Sequence, residues 1–208
     1  DKLVSASNQP KAYDATLVAG QAAVDRAAAH LFWYDAHDRM IPVGRPQLDA
    51  LTAGQQPKTE DGARTGPSRL TVLYAPTWEG AQPSTAYSSL EHAGGAIVRS
   101  VLEDGGMRLI YRPHPRTGAR SATYAELDSA LKAQVRDAAR RHPQAGHLVD
   151  TGPSPLGSMT AADVLVCDIS AMALDWLATG RPLVVTEPAS AAAVVSETRI
   201  WEAAARLT

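Results

Sequence analysis

The chain has 208 residues, enough for one well-packed core or for one domain and part of another. Hydrophobic residues make up 45% and charged residues 20%, a balance that fits a soluble globular protein. Twenty basic against 22 acidic side chains leave a formal charge of −2, which excludes a global attraction to nucleic acid or to an anionic membrane; any anion site must be local. The single cysteine, Cys167, ends an apolar run and reads as a buried thiol that can form no internal disulfide. No run of about 18 apolar residues and no secretory pattern occurs. The chain opens with Asp in mid-pattern, so a longer parent protein is expected.

In chain order, Ala15–Ala19 reads as a short strand closed by Gly20. Gln21–Leu31 is alanine-rich, with Val24, Ala27, Ala28 and Leu31 at helical spacing. Met40–Val43 is a second short apolar stretch, running into the turn Gly44–Asp49. This first part, residues 1–51, looks too small to stand as a domain. Thr52–Ser68 is rich in Gly, Pro, Thr and charge, so 52–69 reads as a linker or mobile loop.

A second unit, 70–208, begins with the strand Leu70–Ala75, stopped by Pro76. A polar loop, Trp78–Ser88, leads to a helix over Ser89–Glu103, whose first turns Gly94-Gly95 weakens. Met107–Tyr111 is the next strand and Tyr124–Arg141 a helix with Leu127, Leu131, Val135 and Ala138 on one face. His147–Val149 is a short strand and Pro155–Ala161 a short helix. Then come a strand near 163–167, a helix over Ala171–Thr179 and a strand near 182–186. Pro188–Leu207 is alanine-rich and reads as one or two helices. Five short apolar strands alternating with helices predict an α/β fold with a doubly wound, mostly parallel sheet.

In such sheets the ligand lies beyond the strand C-termini. Polar residues follow three of those ends. After 164–167 come Asp168 and Ser170 at the start of a helix, with Asp175 inside it, seven residues after Asp168 and on the same face if the helix is continuous from there. A lone serine here also reads as an ordinary N-cap, and Asp175 as an ordinary surface acid. After 107–111 comes Arg112-Pro113-His114-Pro115-Arg116. The prolines stiffen this turn, the guanidiniums suit phosphate oxygens, and His114 can donate to a diphosphate or protonate a leaving one. The bland alternative is a solvated basic turn. After 70–75 come Thr77, Trp78 and Glu79. Trp78 is either packing or a ligand wall, and Glu79 either a surface charge or a hydroxyl ligand.

No phosphate-loop, G-x-G-x-x-G, H-E-x-x-H, C-x-x-C or G-x-S-x-G pattern is present, so no metal site is expected. The pairs Ser158/His147 and Ser170/His114 can be imagined as dyads, but spacing supports neither.

Tyr74-Ala75-Pro76-Thr77-Trp78, Arg112-Pro113-His114-Pro115 and Asp168-Ile169-Ser170 with Asp175, in this order, resemble the CDP-glycerol glycerophosphotransferase family of teichoic-acid primases and polymerases. Val43-Gly44-Arg45-Pro46-Gln47-Leu48-Asp49 is similar to the family's segment leading out of the acceptor domain. The resemblance implies a glycosyltransferase-B-like fold whose C-terminal half binds the donor, with residues 1–51 a remnant of the acceptor side. It implies transfer of glycerol phosphate from CDP-glycerol to a polymer or lipid-linked hydroxyl with release of CMP and no essential metal or cofactor. It implies that His114 meets the diphosphate, Ser170 the donor phosphate and Asp175 the transferred glycerol. His114 and Asp175 are thus the catalytic candidates, with Arg112, Arg116, Thr77 and Asp168 joining them and Ser170 in the donor site. Ala171 stands where many members have a second Ser or Thr. The family's Trp-His-Gly-Thr-like segment, source of its presumed base, is absent, and His30 and His37 lack the right neighbours. The fragment alone is expected to be inactive. The implied setting is the cytoplasm, at the inner face of the membrane through parts outside this chain. Two other readings stay open: a nucleotide-sugar glycosyltransferase of similar fold, and a non-catalytic binding or scaffold domain of an envelope-assembly protein.

Overall fold

The computed structural model describes residues 8–49, 51, 69–193, 195 and 200–208, so the expected linker, 52–69, lies almost wholly outside the described residues. The chain divides into two compact units, Asp1–Ala53 and Gly54–Thr208.

In the first unit, β1 (Thr16–Val18) and β2 (Met40–Pro42) pair in parallel, joined through α1 (Gln21–His30) and α2 (Ala36–Arg39). The expected strand and helix are present, and the short apolar stretch at 40–43 supplies the second strand. Val24, Ala27, Leu31, Ala36 and Met40 form its core. Asp35 caps α2 by accepting from the His37 and Asp38 amides, each at 3.1 Å. His30 and His37 are both exposed.

The second unit holds a six-stranded parallel sheet: β3 (Leu70–Ala75), β4 (Met107–Tyr111), β5 (Leu148–Val149), β6 (Val164–Cys167), β7 (Leu183–Thr186) and β8 (Ala205–Leu207). Its order is β5-β4-β3-β6-β7-β8, so the chain winds one way from β3 and the other way from β6. Tyr74 is in register with Tyr111 on one side and Val166 on the other. The strand ends therefore lie level across the middle of the sheet.

Side chains alternate between the two faces. Val72, Tyr74, Leu109, Tyr111 and Val166 pack against Val98 and Val101 of α3 (Gly95–Glu103) and Leu131 and Val135 of α4 (Ala122–Arg141). On the other face, Leu73, Leu165 and Cys167 are fully buried, and α5 (Leu156–Ala161) and α6 (Ala171–Trp176) bury Met159, Ala173 and Trp176. Cys167 is a free buried thiol, as its place in an apolar strand predicts.

The glycine pair before α3 produces a wide turn. Residues Leu90–Gly94 are π-helical, with the Ala93 and Gly94 amides both donating to the Ser89 carbonyl at 2.9 Å. A Cβ on Gly94 would lie 3.1 Å from the Tyr74 hydroxyl, so the glycine lets the turn close over β3.

The tail is a correction. The alanine-rich segment Pro188–Leu207 reads from sequence as one or two helices, with no strand. Among the described residues, helix is limited to α7 (Ile200–Ala203), and Ala205–Leu207 forms the sixth strand. β7 offers an open row of backbone groups, and pairing with them outweighs alanine's helical preference; Glu187 N–H donates to the Leu207 carbonyl at 2.8 Å. Among the described residues, no helix is long and apolar enough to cross a membrane.

Candidate functional site

The strand order reverses between β3 and β6, and in open α/β sheets ligands bind beyond the strand C-termini at such a point. Asp168 stands at this point and is fully buried. Its carboxylate accepts from the Thr77 amide at 2.6 Å, the Ser89 amide at 3.1 Å and the Thr186 hydroxyl at 2.6 Å. Burial pushes its pKa up, against the bonds from Ser89, Thr186 and Thr77 that pull it down. Asp168 thus braces three segments: the β3 exit, the turn before α3 and the end of β7. Ser88 strengthens this brace, donating to the Thr77 carbonyl at 2.8 Å, and the Ser89 and Tyr74 hydroxyls share a bond of 2.9 Å.

Arg112, directly after β4, is likewise committed. Only 7% exposed, it donates to Asp150 at 2.5 Å and to the Gly152 carbonyl at 2.7 Å. The Ser158 hydroxyl and the Gly152 amide also donate to Asp150. Burial would raise the Asp150 pKa, but these donors together hold it below the usual carboxylate range. Neither Asp150 nor Ser158 was singled out as a partner for Arg112 from the sequence. Arg112 and Asp150 each follow a strand end, and a buried charge of one sign needs the other.

His114 lies two residues further out and is half-buried. Its Nδ1 accepts from the Arg116 amide at 3.1 Å, so in the neutral ring Nε2 carries the proton and is a donor. Burial, with the nearby Arg116 charge, lowers its pKa against a smaller raising effect of Glu79. The Trp78 ring stacks beside it at 6.3 Å between centroids, and the Arg116 guanidinium lies 4.0 Å over that Trp ring. Arg116 itself is exposed, as is Pro115.

Ser170 follows β6 in extended backbone, φ −151° and ψ 169°, at the N-cap of α6 without capping it. Its hydroxyl is buried beside the Cys167 thiol, a contact that works against the burial pushing that thiol's pKa up, and it has no strictly aligned hydrogen bond. The Thr117 hydroxyl, which sequence reasoning passed over, is buried in the same condition near His114. Asp175 is half-buried on α6, and Ala171 is exposed. The exits of β4 and β6 are separated by β3 alone, two strand spacings or about 10 Å.

The sequence-derived residues therefore fall into two sets. His114, Arg116, Ser170 and Asp175 keep exposed or half-buried surface around the C-terminal ends of the sheet. Thr77 joins both sets: its backbone is tied to Asp168 and Ser88 while the residue stays half-buried. Asp168 and Arg112 are buried and brace the strand exits from beneath. Among the described residues, no group of three or more His, Cys, Asp and Glu is placed to hold a metal ion.

A parallel sheet reversing at β3/β6 and covered by helices on both faces defines a doubly wound α/β fold of the glycosyltransferase-B-like class. The chain belongs to the CDP-glycerol:poly(glycerophosphate) glycerophosphotransferase family, whose profile matches residues 4–190. The wall teichoic acid polymerase TagF is structurally similar, with a TM-score of 0.52 at 17% identity, over 86% of this chain and 40% of that one. A histidine-to-asparagine variant of that polymerase, soaked with CDPG, gives a TM-score of 0.53 at 17% identity, over 86% of this chain and 39% of that one. The chain thus spans about two-fifths of the polymerase's length. No curated protein sequence matches significantly.

Proposed function

We propose that this chain is the donor-binding part of a transferase that moves glycerol phosphate, or a related polyol phosphate, from a CDP-activated donor to a polymer or lipid-linked hydroxyl. The observation that carries this reading is a donor-ready His114 on the β4 exit, with Ser170 on the β6 exit one strand further across the switch point. Family membership supports it.

In this reading the His114 Nε2–H donates to the diphosphate, and the Ser170 hydroxyl donates to the phosphate being transferred. Asp175 takes a hydroxyl of the glycerol, and Arg116 adds positive charge at the rim. Arg112 ties the β4 exit to the β5 exit, and Asp168 ties the β6 exit to those of β3 and β7. The bond from the transferred phosphorus to the bridging oxygen breaks, a new bond forms to the acceptor oxygen, and CMP leaves. Such a reaction asks the protein mainly for alignment and for stabilisation of negative charge. The acceptor's proton passes to a base supplied by another part of the parent protein, so residues 1–208 alone bind donor without turning it over. Residues 1–51 belong to the acceptor side, and the parent works in the cytoplasm at the inner membrane face.

Calorimetric titration with CDP-glycerol, CDP-ribitol and UDP-sugars tests this. CDP-glycerol is expected to bind, and His114→Ala to weaken it roughly ten- to a hundred-fold, as loss of a charge-assisted bond to phosphate would. Preference for a UDP-sugar would make the parent a glycosyltransferase. No binding of any donor would make this a scaffold domain.

A further inference from the structure

Five consecutive backbone amides follow the His114-Pro115 pair, and all five are donors. The Arg116 amide donates to His114 Nδ1 at 3.1 Å, and the Thr117 amide to the His114 carbonyl at 2.9 Å. The Ala119 amide donates to the Arg116 carbonyl at 3.0 Å. The remaining two leave the turn: Gly118 N–H donates to Glu79 Oε2 at 3.0 Å and Arg120 N–H to Glu79 Oε1 at 2.8 Å. One carboxylate on the β3 exit therefore takes both outward-directed donors of the β4 exit. Gly118 is fixed from the other side as well. It stands at φ +80°, and a Cβ there would lie 2.6 Å from the Ala125 Cβ at the start of α4.

We propose that Glu79 is the positioning residue of the His114 turn: its carboxylate locks the β4 exit to the β3 exit and so sets where the imidazole meets the donor. This rests on the reading of His114 as a diphosphate contact. Both oxygens of Glu79 are occupied by backbone donors, which assigns it neither of the roles its sequence position suggested, surface charge or hydroxyl ligand. Burial raises its pKa, but hydrogen bonds from its own amide and those of Arg120, Gly118 and Ser121 outweigh that and lower it, so it stays ionised at neutral pH. The charged groups that bear on His114 are Arg116, which disfavours its protonation, and Glu79, which favours it. Trp78, next in sequence to Glu79, is carried by the same lock to its place beside His114 and under Arg116.

The test uses the 208-residue chain, with NMR titration of His114, amide hydrogen exchange and CDP-glycerol calorimetry on the wild type, Glu79→Gln and Glu79→Asp. Glu79→Gln removes the charge and presents an NH2 to one of the two amides. Exchange at Gly118 and Arg120 should quicken about tenfold, His114 should titrate at lower pH, and CDP-glycerol affinity should fall about tenfold. Glu79→Asp keeps the charge but shortens the reach, so it should restore the His114 titration and only part of the affinity. Faster exchange with unchanged His114 titration and unchanged affinity would overturn the proposal and leave Glu79 as a structural clamp. If Glu79→Gln does not fold, Glu79→Asp decides alone: loosened amides with wild-type affinity overturn it. If the wild type fails to bind CDP-glycerol, the functional reading falls, while exchange and the His114 titration still show whether Glu79 holds the turn.

Discussion

The exits of β4 and β6 look alike in sequence: an apolar strand, then a charge, then a polar residue two places on. The structure gives the two positions of each exit different work. The first residue, Arg112 or Asp168, is still within the packed layer and is consumed by partners, Asp150 and Gly152 in one case, Thr77, Ser89 and Thr186 in the other. The second is only half-buried as a residue; His114 keeps Nε2–H as a donor, while the Ser170 hydroxyl lies buried beside the Cys167 thiol. The exits also differ in depth. Asp168 stands mid-sheet and ties three segments, whereas Arg112 lies nearer the edge and ties one. A charge at a strand end thus reports a brace more directly than a ligand contact, because burial next to the sheet forces it to find partners.

The sharpest way to break this comparison is Asp168→Ala. It leaves two amides and a hydroxyl without their acceptor, each buried orphan costing about 1–3 kcal/mol, so a loss of about 3–5 kcal/mol is expected in urea denaturation. A small change would mean that Asp168 is no brace. Arg112→Ala should cost less, about 2–3 kcal/mol, because Asp150 keeps the Ser158 and Gly152 donors. A loss equal to that of Asp168→Ala would erase the difference between centre and edge.

The outer positions should behave in the opposite way. His114→Ala is expected to leave the urea midpoint within about 0.5 kcal/mol of wild type, while CDP-glycerol binding drops as stated above. Ser170→Ala should be still milder, with stability unchanged and donor affinity down by about tenfold or less, the value of one neutral hydrogen bond. Loss of folding in either variant would move that residue into the brace.

The smallest expected effect is on pH dependence. His114 and His147 both have lowered pKa values, His114 through burial and Arg116, His147 through burial and the charges of Arg69, His142 and Arg108. The unfolded chain therefore binds more protons just below a pH of about 6.5, the ordinary histidine value. Their contribution is complete above that pH and is lost as pH falls through the lower folded values. Thermal melts between pH 8 and 5 (the range is about that of histidine titration) should show Tm declining on the acid side. A flat profile would show that neither ring is held neutral by the fold.

The amino-acid sequence by itself determined the element order, the parallel sheet and the three polar exits. Those follow from local pattern: short β-rich apolar runs, helical spacing on 124–141, and Gly or Pro at the breaks. It also placed His114 and Ser170 beyond strand ends, since one residue of position along a strand is enough for that. Tertiary structure alone decided which charges are spent. Asp168 meets Ser89 and Thr186, 79 and 18 residues away, and Glu79 meets Arg120 across 41, pairings that no local spacing encodes. It also turned Ala205–Leu207 into a strand, because the partner for its backbone is the open edge of β7 and not its own neighbours.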